Sequence, residues 1–165
     1  VFGEGDPNAD YLFIGEAPGR KEDDTGRPFV GMAGKELNKL LQYVGLARSK
    51  VYITSVLKYR PPQNRKPRKA EVAAHIGYLA QQIDIIRPRV LIPLGQSALD
   101  ALLCVLGKKG RQEIGRISAC HGKIYHITIK NHFYSVMPTY HPAAILYNRT
   151  LSIIMKKDVI KIHSL

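Results

Sequence analysis

The chain has 165 residues, about one domain's worth, with 45% hydrophobic and 23% charged residues, the balance of a globular fold whose core needs neither a disulfide nor a metal. Twenty-five Lys and Arg against 13 Asp and Glu leave a formal charge of +12, which points to a polyanionic partner. Two cysteines, Cys104 and Cys120, exclude a disulfide scaffold, and no run approaches the ~20 apolar residues that span a bilayer.

In chain order, residues 10–15 form a short apolar run ending in Gly15, which reads as a buried strand. A Gly- and Pro-rich loop extends to Gly34, and Leu37, Leu40, Leu41 and Val44 then recur at helical spacing before a stop at Gly45. Residues 51–57 are β-rich, and a proline-rich basic loop covers 58–69. Val72, Ile76, Leu79, Ile83 and Ile86 form one face of a helix that ends before Pro88. Residues 89–94 are strand-like and 97–106 helix-like. Residues 123–129 and 132–137 alternate around Lys130-Asn131 as a hairpin, and 149–163 read as a basic amphipathic helix. Cys104 sits in an apolar run and is expected to be a small buried hydrophobe; a bridge to Cys120 stays open, and a reducing, intracellular setting is expected. The first residues have neither a basic start nor an apolar stretch, so no signal peptide is expected.

Strand, loop and helix in repetition predict an α/β fold with a mainly parallel sheet and helices on both faces, in one domain over residues 1–165. Ligands of such folds sit beyond the carboxyl ends of the strands. The loops after 10–15, 51–57, 89–94 and 132–137 therefore face one crevice, and they carry the unusual residues. The first holds Gly15-Glu16-Ala17-Pro18-Gly19, then Glu22-Asp23, then Gly26-Arg27-Pro28-Phe29-Val30-Gly31. It suits close approach of backbone N–H groups to a ligand, or simply a tight strand-to-helix turn. Phe29 is a core residue or a stacking platform. The loop 58–69 has six basic residues and no acid; it is a solvated face or a phosphate-contacting lip, and the overall charge favours the lip. Lys108, Lys109, Arg111 and Arg116 extend that patch. His141, held before Pro142, can aim its ring into the crevice or serve as a structural loop histidine. Ile145-Leu146-Tyr147 before Arg149 is an apolar wedge for a base stack or the first turn of the last helix. The histidines lack paired metal-ligand spacing, and no Gly-x-Ser-x-Gly elbow occurs.

Taken together, these stretches resemble the family 4 uracil-DNA glycosylases, the iron–sulfur branch of their superfamily. The resemblance rests on Gly-Glu-Ala-Pro-Gly (15–19), Glu-Asp (22–23), Gly-Arg-Pro-Phe-Val-Gly-x-Ala-Gly (26–34), Val-Tyr-Ile-Thr (51–54), Lys-x-Arg-Pro-Pro-x-Asn-Arg-x-Pro (58–67), Leu-Gly (94–95) and Pro-Thr-Tyr-His-Pro-Ala-Ala (138–144). It implies a three-layer α/β/α sandwich around a central, mainly parallel four-stranded sheet. It also implies a monomeric, monofunctional enzyme that removes uracil from DNA, releases the free base and starts base-excision repair, with no membrane partner.

By the same resemblance the target nucleotide flips out. Phe29 stacks on the base, while Gly15, Ala17 and Ser55 contact its edge. His141 donates a hydrogen bond to the base oxygen as charge develops, and Asn64 or Glu16 positions water, with Asn64 favoured. Lys58, Arg60, Arg65, Lys66 and Arg149 grip DNA, and Ile145 and Leu146 fill the vacated space. Other branches of the superfamily place an Asp at the position of Ala17, so that carboxylate is missing here.

Two departures stand out. The family holds a four-iron four-sulfur cluster on four cysteines, two of them in an N-terminal segment that this chain is expected to lack and two at positions occupied here by Tyr59 and His75. No cluster and no other cofactor or metal is therefore expected. The family also reads uracil with an Asn where this chain has Ser55, and a hydroxyl replaces the paired donor and acceptor of an amide. A glycosylase for hypoxanthine or a modified pyrimidine, and a non-catalytic DNA-binding relative, are the competing readings.

Overall fold

The computed structural model describes residues 1–107 and 114–165 in full. Four strands, β2 (Tyr11–Gly15), β3 (Tyr52–Ser55), β4 (Val90–Pro93) and β6 (His132–Val136), run parallel as the centre of one sheet. The sheet has six strands, not four, in the order β1-β3-β2-β4-β6-β5. Its edges are antiparallel: β1 (Glu4–Gly5) on β3, and β5 (Tyr125–Ile129) on β6. β1 is only two residues long and polar, too short to leave an alternation in the sequence. β5 is the outer strand of the anticipated hairpin, turning through Lys130 and Asn131 at φ 49° and 62°.

Successive strand residues point to opposite faces, so β2 feeds two cores. Leu12 and Ile14 pack with Leu79, Ile83 and Leu102 under α3 (Lys69–Ile86) and α4 (Gln96–Glu113). Phe13 packs with Leu37, Leu40, Met155 and Val159 under α2 (Met32–Tyr43) and α7 (Thr150–Val159). The result is the expected three-layer sandwich. The last helix is shorter than its sequence pattern, because the chain tightens into a 3-10 turn at Ile160–Ser164. Cys104 is exposed and Cys120 is buried. This reverses the expectation for Cys104: it lies on the outer side of α4, whose inner side is taken by Leu99, Leu102, Leu103 and Leu106.

The sheet sets the site by ending its strands at one level. Gly15 pairs with Ser55, and Ile14 with Pro93. Pairing continues past the strand ends: the Val56 N–H donates to Gly15 O at 2.9 Å, and the Gly95 N–H to Thr139 O at 2.8 Å. The Thr139 loop is held from below by Asp158, which is only 3% exposed. Its carboxylate accepts from Thr139 Oγ1 at 2.8 Å and from His121 Nδ1 at 2.9 Å. Removing it strands the fully buried Thr139 hydroxyl and takes the carboxylate partner from His121. Asp158→Ala should lower the unfolding free energy by about 3 kcal/mol, read from urea melts; a loss under about 1 kcal/mol would mean that the carboxylate is not a main support of that loop.

Candidate active site

The loops at the carboxyl ends of β2, β3, β4 and β6 enclose a cleft of about 530 Å³, within the range of small-ligand sites. Glu16, Ala17, Phe29, Ser55, Asn64, Arg65 and His141 all line it. Gly15 lies just behind, at the end of β2.

Phe29 is both things the sequence allowed. It is 7% exposed and packs in the α2-side core, yet an edge of it lines the cleft. Its backbone is left-handed, with φ 49°, a conformation costly for a bulky side chain. Two side chains hold it there, and two glycines leave it room. Arg48 Nη1 donates to Phe29 O at 3.1 Å, and its other Nη donates to Pro28 O. Glu22, in the short helix α1 (Arg20–Thr25) that interrupts the Gly- and Pro-rich stretch, accepts from the N–H groups of Val30 and Gly31 at 2.9 and 2.8 Å, and from that of Gly19 at 3.1 Å. Gly34 lets the chain through, since a Cβ there would lie 1.9 Å from Phe29 O. Gly15 does the same for the ring, since its Cβ would meet the Phe29 ring at 2.6 Å. Glu22 and Arg48 are functional supports that residue patterns alone left unassigned, because their partners are backbone atoms.

His141 stacks on Phe29 with ring centroids 5.6 Å apart. Its Nδ1 accepts the Ala143 N–H at 3.1 Å, so the proton of the neutral ring sits on Nε2. Burial pushes its pKa down, opposed by the charge of Glu16. The ring is thus a neutral Nε2–H donor. Glu16 is the carboxylate of the first loop left to face the cleft, since both oxygens of Glu22 already accept backbone bonds.

The basic loop divides. Arg60 Nε donates to Asn64 Oδ1 at 2.7 Å, and Asn64 is left-handed at φ 56°. With its oxygen engaged, the Asn64 amide keeps its –NH2 as a donor. Arg65 makes a two-pronged pair with Glu71 at 2.9 and 2.7 Å while still lining the cleft. Lys66 is exposed. Lys58 departs from the expected phosphate grip: it is 7% exposed, and its Nζ donates to Thr54 Oγ1, Ser55 O and Gln82 Oε1 at 2.8, 2.6 and 2.7 Å. A side chain with all three N–H groups turned inward reaches no phosphate. Arg116 is exposed; Lys108, Lys109 and Arg111 lie outside the described residues.

The apolar tip also divides. Ile145 is buried in the core, so it cannot enter a base stack. Leu146 and Arg149 are exposed. Tyr147 is 92% exposed and lines the cleft, which makes it the projecting member of α6 (Ala144–Tyr147). A four-residue helix has too little periodicity to show in sequence which of its residues turns inward.

Tyr59 and His75 do lie together, with ring centroids 5.2 Å apart. They do not suit an iron–sulfur cluster. The Tyr59 hydroxyl donates to Glu71 Oε1 at 2.7 Å and His75 Nδ1 to Glu71 O at 2.9 Å, and neither residue offers a thiolate. Among the described residues, no group of three or more His, Cys, Asp or Glu is placed to hold a metal ion, and no helix is long and apolar enough to cross a membrane.

The fold and cleft define an α/β/α protein that presents a neutral imidazole, an aromatic ring and a carboxylate beside a cationic rim. Residues 2–162 match the Uracil DNA glycosylase superfamily, and the chain belongs to that family. Its similarity lies with the type-4 branch. It is 44% identical to a type-4 uracil-DNA glycosylase of Sulfurisphaera tokodaii, over all of this chain and 74% of the relative. It is 43% identical to one of Saccharolobus solfataricus, over 98% of this chain and 74% of the relative. With one of Archaeoglobus fulgidus the identity is 42%, over all of this chain and 81% of the relative.

Burial without a counter-charge pushes the Lys58 pKa down from 10.5 to about 8. The native state then releases this proton at lower pH than the unfolded chain does. The stability due to this group is therefore lowest below pH 8 and rises from there toward pH 10.5. In urea melts, the difference between wild type and Lys58→Met should move in favour of wild type across that window. A flat difference would mean that the ammonium is not desolvated.

Proposed function

We propose that this chain is a monofunctional uracil-DNA glycosylase, which hydrolyses the N-glycosidic bond of deoxyuridine in DNA, releases free uracil and opens base-excision repair. The observation that carries the mechanism is His141, neutral, with its proton on Nε2 and its ring stacked on Phe29 in a cleft at the ends of the parallel strands.

The base enters by flipping out of the duplex. Arg60, Arg65, Lys66 and Arg149 draw in the phosphates, and Leu146 and Tyr147 occupy the emptied stack. Phe29 lies against the face of the base, with Ser55 and the backbone of Gly15 and Ala17 at its edge. As the C1′–N1 bond breaks, its electron pair goes to the base. The His141 Nε2–H donates to the base oxygen where that charge collects. Water adds to C1′ and gives up a proton. Asn64 can orient that water through its amide but cannot take its proton; the Glu16 carboxylate, on the same cleft wall, accepts it. No lysine is among the described residues lining the cleft, which favours hydrolysis over an amine-linked route and so a monofunctional enzyme. The Tyr59 and His75 side chains favour an enzyme without an iron–sulfur cluster. We further propose that it acts as a monomer, on DNA inside the cell.

The test is single-turnover release of uracil from a labelled oligonucleotide, read as strand cleavage after alkali, with thymine and hypoxanthine controls. Uracil alone should be released, and His141→Ala should slow release about 10²–10³-fold. Release of hypoxanthine in preference to uracil would place Ser55 in a pocket for a different base. Salt-sensitive DNA binding with no base released would overturn the enzyme assignment.

A further inference from the structure

Lys58 is a buried cation that the mechanism above does not use. Its three N–H groups meet three acceptors: Thr54 Oγ1, Ser55 O and Gln82 Oε1. That is the full donor count of an ammonium. All three acceptors are uncharged groups, and Lys58 is in none of the ion pairs among the described residues. An unpaired buried charge is costly to stability, and a neutral or apolar side chain would fill the place at lower cost. Its field, being uncompensated and in a poorly polarisable surrounding, extends well beyond its contacts.

The direction of that influence is set by the hydrogen bonds. Lys58 Nζ donates to Ser55 O at 2.6 Å. The same peptide unit carries the Val56 N–H, which donates to Gly15 O at 2.9 Å. The Gly15 peptide unit in turn carries the N–H of Glu16, a residue lining the cleft. Two peptide units, hydrogen-bonded head to tail, thus lead from the ammonium to the first loop, and each polarises the next. Both Ser55 and Glu16 belong to the wall against which the base edge rests.

We infer that Lys58 is a positioning residue for base departure: from behind the β3 end it holds Ser55 and, through the Ser55–Val56 and Gly15–Glu16 peptides, makes the base-edge wall electropositive, easing the exit of the base as an anion. This rests on uracil excision as the reaction. The carboxylate of Glu16, which lines the cleft and raises the His141 pKa, acts against it.

A residue that helps the base leave as an anion matters less when the base is intrinsically a better leaving group. Single-turnover rates are therefore compared at pH 7 on single-stranded oligonucleotides carrying either uracil or 5-fluorouracil, whose fluorine stabilises the anion. Lys58→Met should slow uracil release about tenfold or more and 5-fluorouracil release distinctly less, widening the ratio between the substrates. Lys58→Arg, which keeps the charge, should restore the ratio. Because a ratio does not depend on the fraction of folded enzyme, a purely structural role lowers both rates by the same factor, and that result would overturn the inference. Gln82→Glu is the second variant, for use whether or not Lys58→Met folds. It keeps the lysine but sets a carboxylate against it, and it should widen the ratio as well; an unchanged ratio in Gln82→Glu likewise overturns the inference. Failure of the wild type to release either base would instead remove the uracil-excision reading itself.

Discussion

The whole site hangs on the pairing of Gly15 with Ser55 at the carboxyl edge of the sheet. Parallel strands that stop together leave their last peptide groups beside each other, and these must find partners. Here they find one another across the loops: Val56 with Gly15, Leu57 with Glu16, Gly95 with Thr139. Each bond fixes the first residue of a loop before its side chains are placed. Glu16, Ser55 and His141 reach one cleft because their backbones are registered in one sheet. Gly15 adds the steric condition, since only a residue without a side chain lets the Phe29 ring lie over the strand end.

The large-scale order of the chain was legible because its signals were periodic. The four parallel strands are apolar runs, and α2 and α3 carry clear apolar faces, so layers and crevice followed. β1, α5 (Ile117–Cys120) and α6 were not legible, since two to four residues make no period. The cleft residues were legible through their motifs. What sequence could not tell was direction. Ile145 and Tyr147 are two apolar neighbours on one short turn, and only packing shows that the first is core and the second projects. Cys104 failed for the same reason, an apolar run on a helix having an outer side as well.

Charge was the least transparent quantity. A formal +12 suggests a cationic surface, but several of the positive groups have internal work. Arg48 clamps the Phe29 loop through backbone carbonyls. Arg65 is tied to Glu71, and Lys58 is withdrawn beneath β3 altogether. A count of basic residues in a loop therefore overstates its grip on phosphate, and the number of counter-ions released on binding DNA follows the exposed cations, not the total.

The same loop shows how position can be held when the side chains that would suit a cluster are absent. One carboxylate, Glu71, accepts from the Tyr59 hydroxyl, from two guanidinium nitrogens of Arg65 and from the Arg68 N–H. These donors hold its pKa well below the ordinary carboxylate range. They come from both ends of the loop and from the start of α3, so a single side chain closes the segment between Tyr59 and Arg68. Within that segment Gln63 and Asn64 are left-handed, a conformation that a loose loop would relax. The closure keeps the strain in place, and with it the bond from Arg60 to the Asn64 amide oxygen at the rim of the cleft. The geometry that the basic loop presents to the cleft is thus fixed at Glu71, which is not among the described residues lining it.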